Sequence, residues 1–184
     1  MRLITFYTTD TPYEQEVKKL MMSVRPWDGL QLTVYPVDNP GSWVLNCGQK
    51  PRVCLDALLE HDEDLLYVDA DALVVGEIDQ KMLKSLDHFA FVRRRDATHD
   101  AELLSGTLWM PNTQQTHALL RRWIAAQAGR KTTWDQKSLD LVVRNYETQE
   151  LPATYAKIFD ANYCKEDPVI VHNQVSRKYR KLIR

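Results

Sequence analysis

Leu65-Leu66-Tyr67-Val68-Asp69-Ala70-Asp71-Ala72-Leu73-Val74-Val75 is the stretch on which the reading of this chain turns. Four consecutive apolar residues, Leu65 to Val68, have the length and composition of a buried strand. That strand runs straight into two carboxylates, Asp69 and Asp71, and a second apolar run, Leu73 to Val75, follows at once. A strand covered on both faces belongs to an open α/β sheet, and ligands in such sheets sit at the carboxyl ends of the strands. Two carboxylates at that place form a seat for a hard divalent cation, which brings phosphate oxygens with it. The pattern points to metal-assisted chemistry on a phosphorylated substrate.

Working outward, Leu3 to Tyr7 reads as a first strand, and Thr8-Thr9-Asp10-Thr11-Pro12 as a turn. Thr11 is the expected N-cap and Pro12 the first helical residue. Tyr13, Val17, Leu20, Met21 and Val24 then recur at helical spacing, in a helix that ends before Pro26. Leu30 to Tyr35 alternates as a second strand. Strand, helix, strand at this spacing is a βαβ unit, so the sheet is expected to be mostly parallel. Pro51 to His61 reads as the helix delivering the chain to Leu65. Beyond the acidic pair come a short helical stretch at Gln80–Leu86, strands at Phe89–Arg93 and Leu103–Met110, and helices at Thr113–Ala128 and Trp134–Asn145. Gly129 is expected to close the first of these and Thr133 to cap the second. Val169 to Val171 is the last strand. No repeat or linker divides the chain, so residues 1–184 are read as one α/β domain with a basic tail at 177–184.

Composition narrows the classes. The 184 residues are 44% hydrophobic and 27% charged, ordinary for a globular domain. A net charge of −1 gives no whole-molecule attraction to nucleic acid or acidic lipid. Positive charge is local, in Arg93-Arg94-Arg95 and in the tail. Three cysteines without C-x-x-C spacing argue against a disulfide framework or a structural zinc site. The amino terminus turns polar too early for a secretory signal, and no apolar run approaches the ~20 residues of a membrane span. A cytoplasmic protein is the expectation.

The segment Leu66 to Val74 resembles the D-x-D segment of GT-A-fold glycosyltransferases, a Rossmann-like nucleotide-diphospho-sugar transferase fold. Further segments resemble the glycogenin-like retaining branch in the same chain order. Ser105-Gly106-Thr107-Leu108-Trp109-Met110-Pro111-Asn112 is similar to its small-residue segment, where backbone approaches the donor sugar. Trp134-Asp135-Gln136 is similar to its Asp-Gln pair, and Val169-Ile170-Val171-His172 to its C-terminal strand ending in a histidine. The resemblance implies a Mn²⁺ or Mg²⁺ ion on Asp69, Asp71 and His172, with Ala70 between the acids. It implies that Asp135 receives sugar hydroxyls, that Gln136 faces the reacting carbon and that Gly106 opens space for the donor. Thr8 and Thr9 would meet the nucleotide, as would Lys50 or Arg52, and Arg177 or Lys178 the diphosphate. The family follows its late histidine with a glycine and a Lys-Pro pair, whereas this chain has Asn173-Gln174-Val175-Ser176-Arg177-Lys178.

Each residue also has a plainer reading. Asp135 at a helix start complements the helix dipole, whereas Lys50 and Arg52 at a helix start oppose it, which hints at a ligand. Trp43, Trp109 and Trp134 either stack on sugars or fill core, and Trp109, inside an apolar run, belongs to the core. The expected activity is transfer of a sugar, with retention, from a nucleotide-diphosphate donor such as a UDP-sugar. The acceptor is a saccharide or a hydroxylated base in DNA, the latter gripped by Arg93–Arg95 and the tail. The alternatives are a phosphatase with an aspartyl nucleophile and a non-catalytic module that binds nucleotide sugar. The oligomeric state is open.

Overall fold

A computed structural model of the chain describes residues 1–128 and 132–179, without the side chains of Lys178 and Tyr179. The elements in order are β1 (Arg2–Thr8), α1 (Tyr13–Val24), β2 (Gln31–Val37), α2 (Trp43–Cys47), α3 (Lys50–His61), β3 (Leu65–Val68) and β4 (Ala72–Val74). Then come α4 (Gln80–Lys84), β5 (Ala90–Asp96), β6 (His99–Met110), α5 (Gln114–Gln127), α6 (Asp135–Val143) and β7 (Gln149–Glu150). A 3-10 turn at Ala153–Ala156, β8 (Lys157–Ile158), β9 (Ile170–His172) and α7 (Ser176–Tyr179) complete the described chain. The closing role expected of Gly129 lies outside the described residues, as does the tail beyond Tyr179.

Six strands form the central sheet in the order β2-β1-β3-β6-β5-β7. Three of its five pairings are parallel, and the two made by β6 are antiparallel. The architecture is thus a mixed α/β domain whose nucleus is the anticipated β1-α1-β2 unit. Pro36 is tolerated because β2 is an edge strand, where its missing N–H breaks no interior ladder. Side chains alternate across the sheet. Ile4, Phe6, Leu65, Tyr67, Leu108 and Met110 join α3, α5 and α6 in one core cluster. Leu3, Leu66, Val68 and Trp109 join α1, α4 and a second sheet in the other. Both faces are covered, which is why β3 is a continuous apolar run rather than an alternating one.

Capping chemistry sets several boundaries. Pro12 has helical angles (φ −58°, ψ −15°) but itself holds the cap position, and α1 starts at Tyr13, one residue later than expected; the Thr11 hydroxyl accepts from Tyr13 N at 3.3 Å. Thr113 caps α5, accepting from Thr116 N at 3.2 Å. The expectation for Thr133 fails: Trp134 holds the cap position of α6 with extended backbone and no side-chain cap. The carbonyl of Thr133 instead accepts from Gln127 Nε2 at 2.7 Å.

The largest departure is the β5–β6 hairpin. The expected strand stopped at Arg93, yet β5 runs to Asp96 and β6 begins at His99, four residues before the expected start. This end of the hairpin is joined by charge: Arg94 stands opposite Glu102 and Asp96 opposite His99. It therefore lacks the apolar periodicity by which a strand is recognised.

Candidate active site

The chain leaves β1 for β2 on one side, then returns to β3 on the other side of β1. The carboxyl ends of β1 and β3 thus flank a topological switch point, where open α/β sheets bind ligands. A cleft of about 310 Å³ opens there. Thr8 ends β1 at its wall, and Asp69, Ala70 and Asp71 follow β3 into it.

Two pairings build the acidic centre. Antiparallel β6 lies beside β3 with Thr107 opposite Val68, and Asp69 N donates to Gly106 O at 2.8 Å. In the second sheet, ordered β4-β9-β8, Ala72 stands opposite His172, so β9 carries the histidine back to the aspartates. Among the described residues, Asp69, Asp71 and His172 form a group whose ligand atoms all lie within 4.8 Å of one another. Gly106 sits against that group. A Cβ there would lie 2.8 Å from His172 Cε1, 2.9 Å from its Nδ1 and 3.2 Å from Asp69 Oδ2. The small residue is demanded by close approach rather than by its backbone angles.

Charge at this centre is unbalanced. Lys50 Nζ lies 2.9 Å from Asp69 Oδ1 and 2.6 Å from Asp135 Oδ2, and also donates to Ser105 O at 3.1 Å. Three carboxylates (Asp69, Asp71 and Asp135) therefore face one ammonium. Burial would lower the Lys50 pKa, but the Asp135 and Asp69 charges hold it above its ordinary value. Asp71 lacks such a partner. Burial first, then the Asp69 charge, push its carboxyl up to about 6, against the pull of the Val175 N–H donated at 2.9 Å. Gln174, at φ +53°, turns the chain so that this N–H reaches the carboxylate. Burial holds His172 down at about 4, so its imidazole is neutral at pH 7. Two oxygen donors, a neutral imidazole and surplus negative charge suit a divalent cation such as Mn²⁺ or Mg²⁺.

The donor-side residues are tied together. Ser105 Oγ donates to Asp135 Oδ2 at 2.9 Å. Gln136 accepts from Ser105 N at 3.4 Å and donates to Glu102 Oε1 at 3.1 Å. Arg177 borders the cleft and is ion-paired with Asp160. Tyr7, Tyr13, Trp43 and Asn46 form the wall beyond Thr8. Trp134 also faces the cleft, its ring 6.2 Å from that of Trp43, whereas Trp109 is fully buried in the core.

Two nominated residues fall outside the cleft. Arg52 is exposed on α3, because residues two apart on a helix face different directions and Lys50 takes the inward one. Thr9 lies past the end of β1 with its N–H on Val37 O at 2.9 Å, and only Thr8 lines the wall. Lys178 lies outside the described side chains. Lys50, anticipated as a ligand group, does line the cleft, with its charge shared between Asp69 and Asp135. The arginine triplet is likewise committed to acids: Arg93 and Arg95 to Glu150, Arg94 to Asp96 and Glu102.

Sequence reading missed Tyr67, whose hydroxyl donates to Asp69 Oδ1 at 2.7 Å. Its position two residues before Asp69 on a strand was a usable signal, since such residues share a face. Ser105 and Thr107 fell within the small-residue segment but without roles of their own, and Glu102 and Asn46 carried no signal. They matter through partners 30 or more residues away, and Asn46 lies on a five-residue helix too short for periodicity.

The fold and the sequence both have counterparts among known proteins. The fold is similar to that of a glycosyltransferase involved in the glycosylation of the major capsid of PBCV-1, with a TM-score of 0.75, 13% identity and coverage of 98% of this chain and 97% of that one. It is also similar to the apo form of the glycosyltransferase GlyE of Streptococcus pneumoniae TIGR4, at a TM-score of 0.65 and 16% identity, covering 93% of this chain and 53% of that one. No curated protein matches the sequence at a significant level. The sequence model of the nucleotide-diphospho-sugar transferases matches residues 43–183, a span that takes in the acidic pair, Gly106, the Asp135–Gln136 pair and His172. The chain belongs to the nucleotide-diphospho-sugar transferase family, and is a glycosyltransferase.

Proposed function

We propose that this enzyme transfers a sugar from a UDP-sugar to a saccharide hydroxyl, with retention at the anomeric carbon and with Mn²⁺ or Mg²⁺ held by Asp69, Asp71 and His172. One observation carries the reading: three ligand groups from two separate sheets converge within 4.8 Å at a centre with surplus negative charge. A donor diphosphate is itself anionic and would be repelled by that centre without a cation. When bound, the cation supplies positive charge to the diphosphate oxygens as the leaving group departs.

The remaining work falls to the chain. Tyr7, Thr8, Tyr13 and Trp43 receive the base and ribose, and Ala70 shapes the floor between the two acids. Gly106 presents bare backbone to the sugar. Lys50 couples Asp69 to Asp135, so the metal side and the sugar side move as one unit. Gln136, its amide set by Ser105 and Glu102, borders the reacting carbon. Arg177 borders the leaving diphosphate, which competes with Asp160 for it, and Lys178 follows one residue on. Retention is supported by the carboxylates themselves. Asp135 is held by Lys50 and Ser105, and Glu102 by Gln136, Arg94 and His99, so neither is poised as a base for direct inversion. A hydroxylated base in DNA is the rival acceptor, yet Arg93, Arg94 and Arg95 are each paired with acids of the protein.

The deciding experiment is Mn²⁺-dependent hydrolysis of UDP-sugars by the wild type and Asp71→Ala. The substitution should abolish the metal-dependent rate, and full activity would defeat the assignment. A thermal-shift panel of nucleoside diphosphates and their sugars, with and without Mn²⁺, reports base preference. Proton NMR of the first-formed anomer tests retention.

A further inference from the structure

Thr107 is fully buried on β6, beside Gly106 and opposite Val68. Its hydroxyl makes two contacts: Tyr155 O at 2.7 Å and His172 Nε2 at 2.9 Å. A threonine hydroxyl has one proton to donate and lone pairs to accept with. The Tyr155 carbonyl can only accept, so that proton is committed to it. Thr107 Oγ1 must then be the acceptor at its other contact, and Nε2 of His172 must carry hydrogen. The lone pair of a neutral imidazole is thereby left on Nδ1. That nitrogen and Asp69 Oδ2 border the same point, since a Cβ on Gly106 would lie 2.9 Å from one and 3.2 Å from the other.

We infer that Thr107 is a positioning residue for the metal centre: with the Tyr155 carbonyl it holds His172 in the Nε2–H tautomer and presents Nδ1 as the metal-binding atom beside Asp69. The inference rests on the proposed metal site but assigns something that site leaves open, namely which ring nitrogen binds and what decides it. A hydrogen-bonded partner on the far nitrogen of a ligating histidine commonly changes metal affinity by about 10–100-fold. Here the partner is a hydroxyl whose own direction is set by a backbone carbonyl. The carbonyl belongs to the 3-10 turn at Ala153–Ala156, so that turn reaches the metal centre through Thr107.

The test has two parts. Long-range ¹H–¹⁵N correlation spectra of the metal-free wild type should show His172 as the Nε2–H tautomer, and this measurement needs no variant. Mn²⁺ titration should then give a dissociation constant raised about 10–100-fold in Thr107→Val, which keeps the shape but cannot accept, and restored in Thr107→Ser. A Nδ1–H tautomer in the wild type overturns the inference. So does Thr107→Val with wild-type Mn²⁺ affinity, or Thr107→Ser as weak as Thr107→Val. A wild type that binds no Mn²⁺ defeats the metal site itself, and the role of Thr107 with it. The wrong tautomer with normal Mn²⁺ binding defeats the Thr107 assignment alone.

Discussion

Replacing Gly106 with alanine sets two physical effects of opposite sign against each other. Gly106 does not sit at positive φ, so an L side chain meets no backbone strain there. On conformational grounds alone, alanine in a strand interior should gain roughly 0.5–1 kcal/mol over glycine. The added methyl, however, would lie 2.8 Å from His172 Cε1. That is roughly 0.7 Å inside the ~3.5 Å at which carbon atoms attract. The ring has little room to retreat, being buried and held at Nε2 by Thr107 at 2.9 Å. Asp69, 3.2 Å from the methyl, is tied by Tyr67 and Lys50. Overpacking of this kind costs about 1–3 kcal/mol, leaving a net destabilisation of about 0–2.5 kcal/mol. For a chain of this size the loss corresponds to at most roughly 10 °C in Tm. The effect on metal is larger, because ligand distances tolerate only about ±0.2 Å and the clash demands several times that. Mn²⁺ affinity should fall at least about tenfold, as for loss of a supporting group in a metal site. Thermal unfolding without metal and calorimetric Mn²⁺ titration measure the two effects separately. A Gly106→Ala variant with raised Tm and unchanged Mn²⁺ affinity would refute the close approach of strand, histidine and aspartate.

Other outcomes follow from the same geometry. Lys50→Met should destabilise by about 3–5 kcal/mol, because it strands the buried Asp135 carboxylate, and Lys50→Met combined with Asp135→Leu should recover much of that in chemical denaturation. A double variant no more stable than the single one would show that the pair is not the cause. Acidification acts on His172 and Asp71 with opposite sign. From pH 6.5 to about 4 the unfolded chain takes up a proton at His172 that the native state refuses, which destabilises the fold. From about 6 to 3.8 the native Asp71 takes up a proton that the unfolded chain refuses, which stabilises it. Stability of the metal-free protein should therefore change little through this pair between pH 6 and 4. Mn²⁺ binding needs the ionised carboxylate, so its affinity should drop about tenfold per unit below about pH 6, and a flat calorimetric profile from pH 7.5 to 5 would contradict this. DNA affinity should be weak with a shallow salt slope, since Arg93, Arg94 and Arg95 are paired internally, and a steep slope in a salt titration would restore DNA as an acceptor.

Much of the fold was legible because burial on both faces writes itself into composition. Leu65–Val68 is apolar at every position since helices cover one face of β3 and α1 with the second sheet the other. Thr11-Pro12 and Thr113 marked two helix starts to within one residue, since turn and capping chemistry is local to one turn. What escaped was structure held by partners distant in sequence. The outer half of the β5–β6 hairpin is joined by Arg94, Glu102, Asp96 and His99, and pairs of charges leave no periodic trace. In the second sheet the runs Leu73–Val75 and Val169–Val171 marked β4 and β9 to within one residue, whereas two-residue β8 is too short to leave a trace and neither run told which strands would pair.

The same division runs through the active site. Local sequence was enough to show that two carboxylates end a buried strand, that a glycine follows a serine on the way to another strand, and that a histidine ends a third. These are properties of neighbouring residues, set by strand periodicity and turn chemistry. Tertiary packing alone brings Gly106 against His172 and Asp69, sets Lys50 at the cleft between two carboxylates, and puts Thr107 on the far side of the imidazole. Those contacts join residues 19 to 85 positions apart, from Lys50–Asp69 to Lys50–Asp135. Their distances depend on how β6 and β9 pair, and strand pairing is chosen by packing of the whole core rather than by any local pattern.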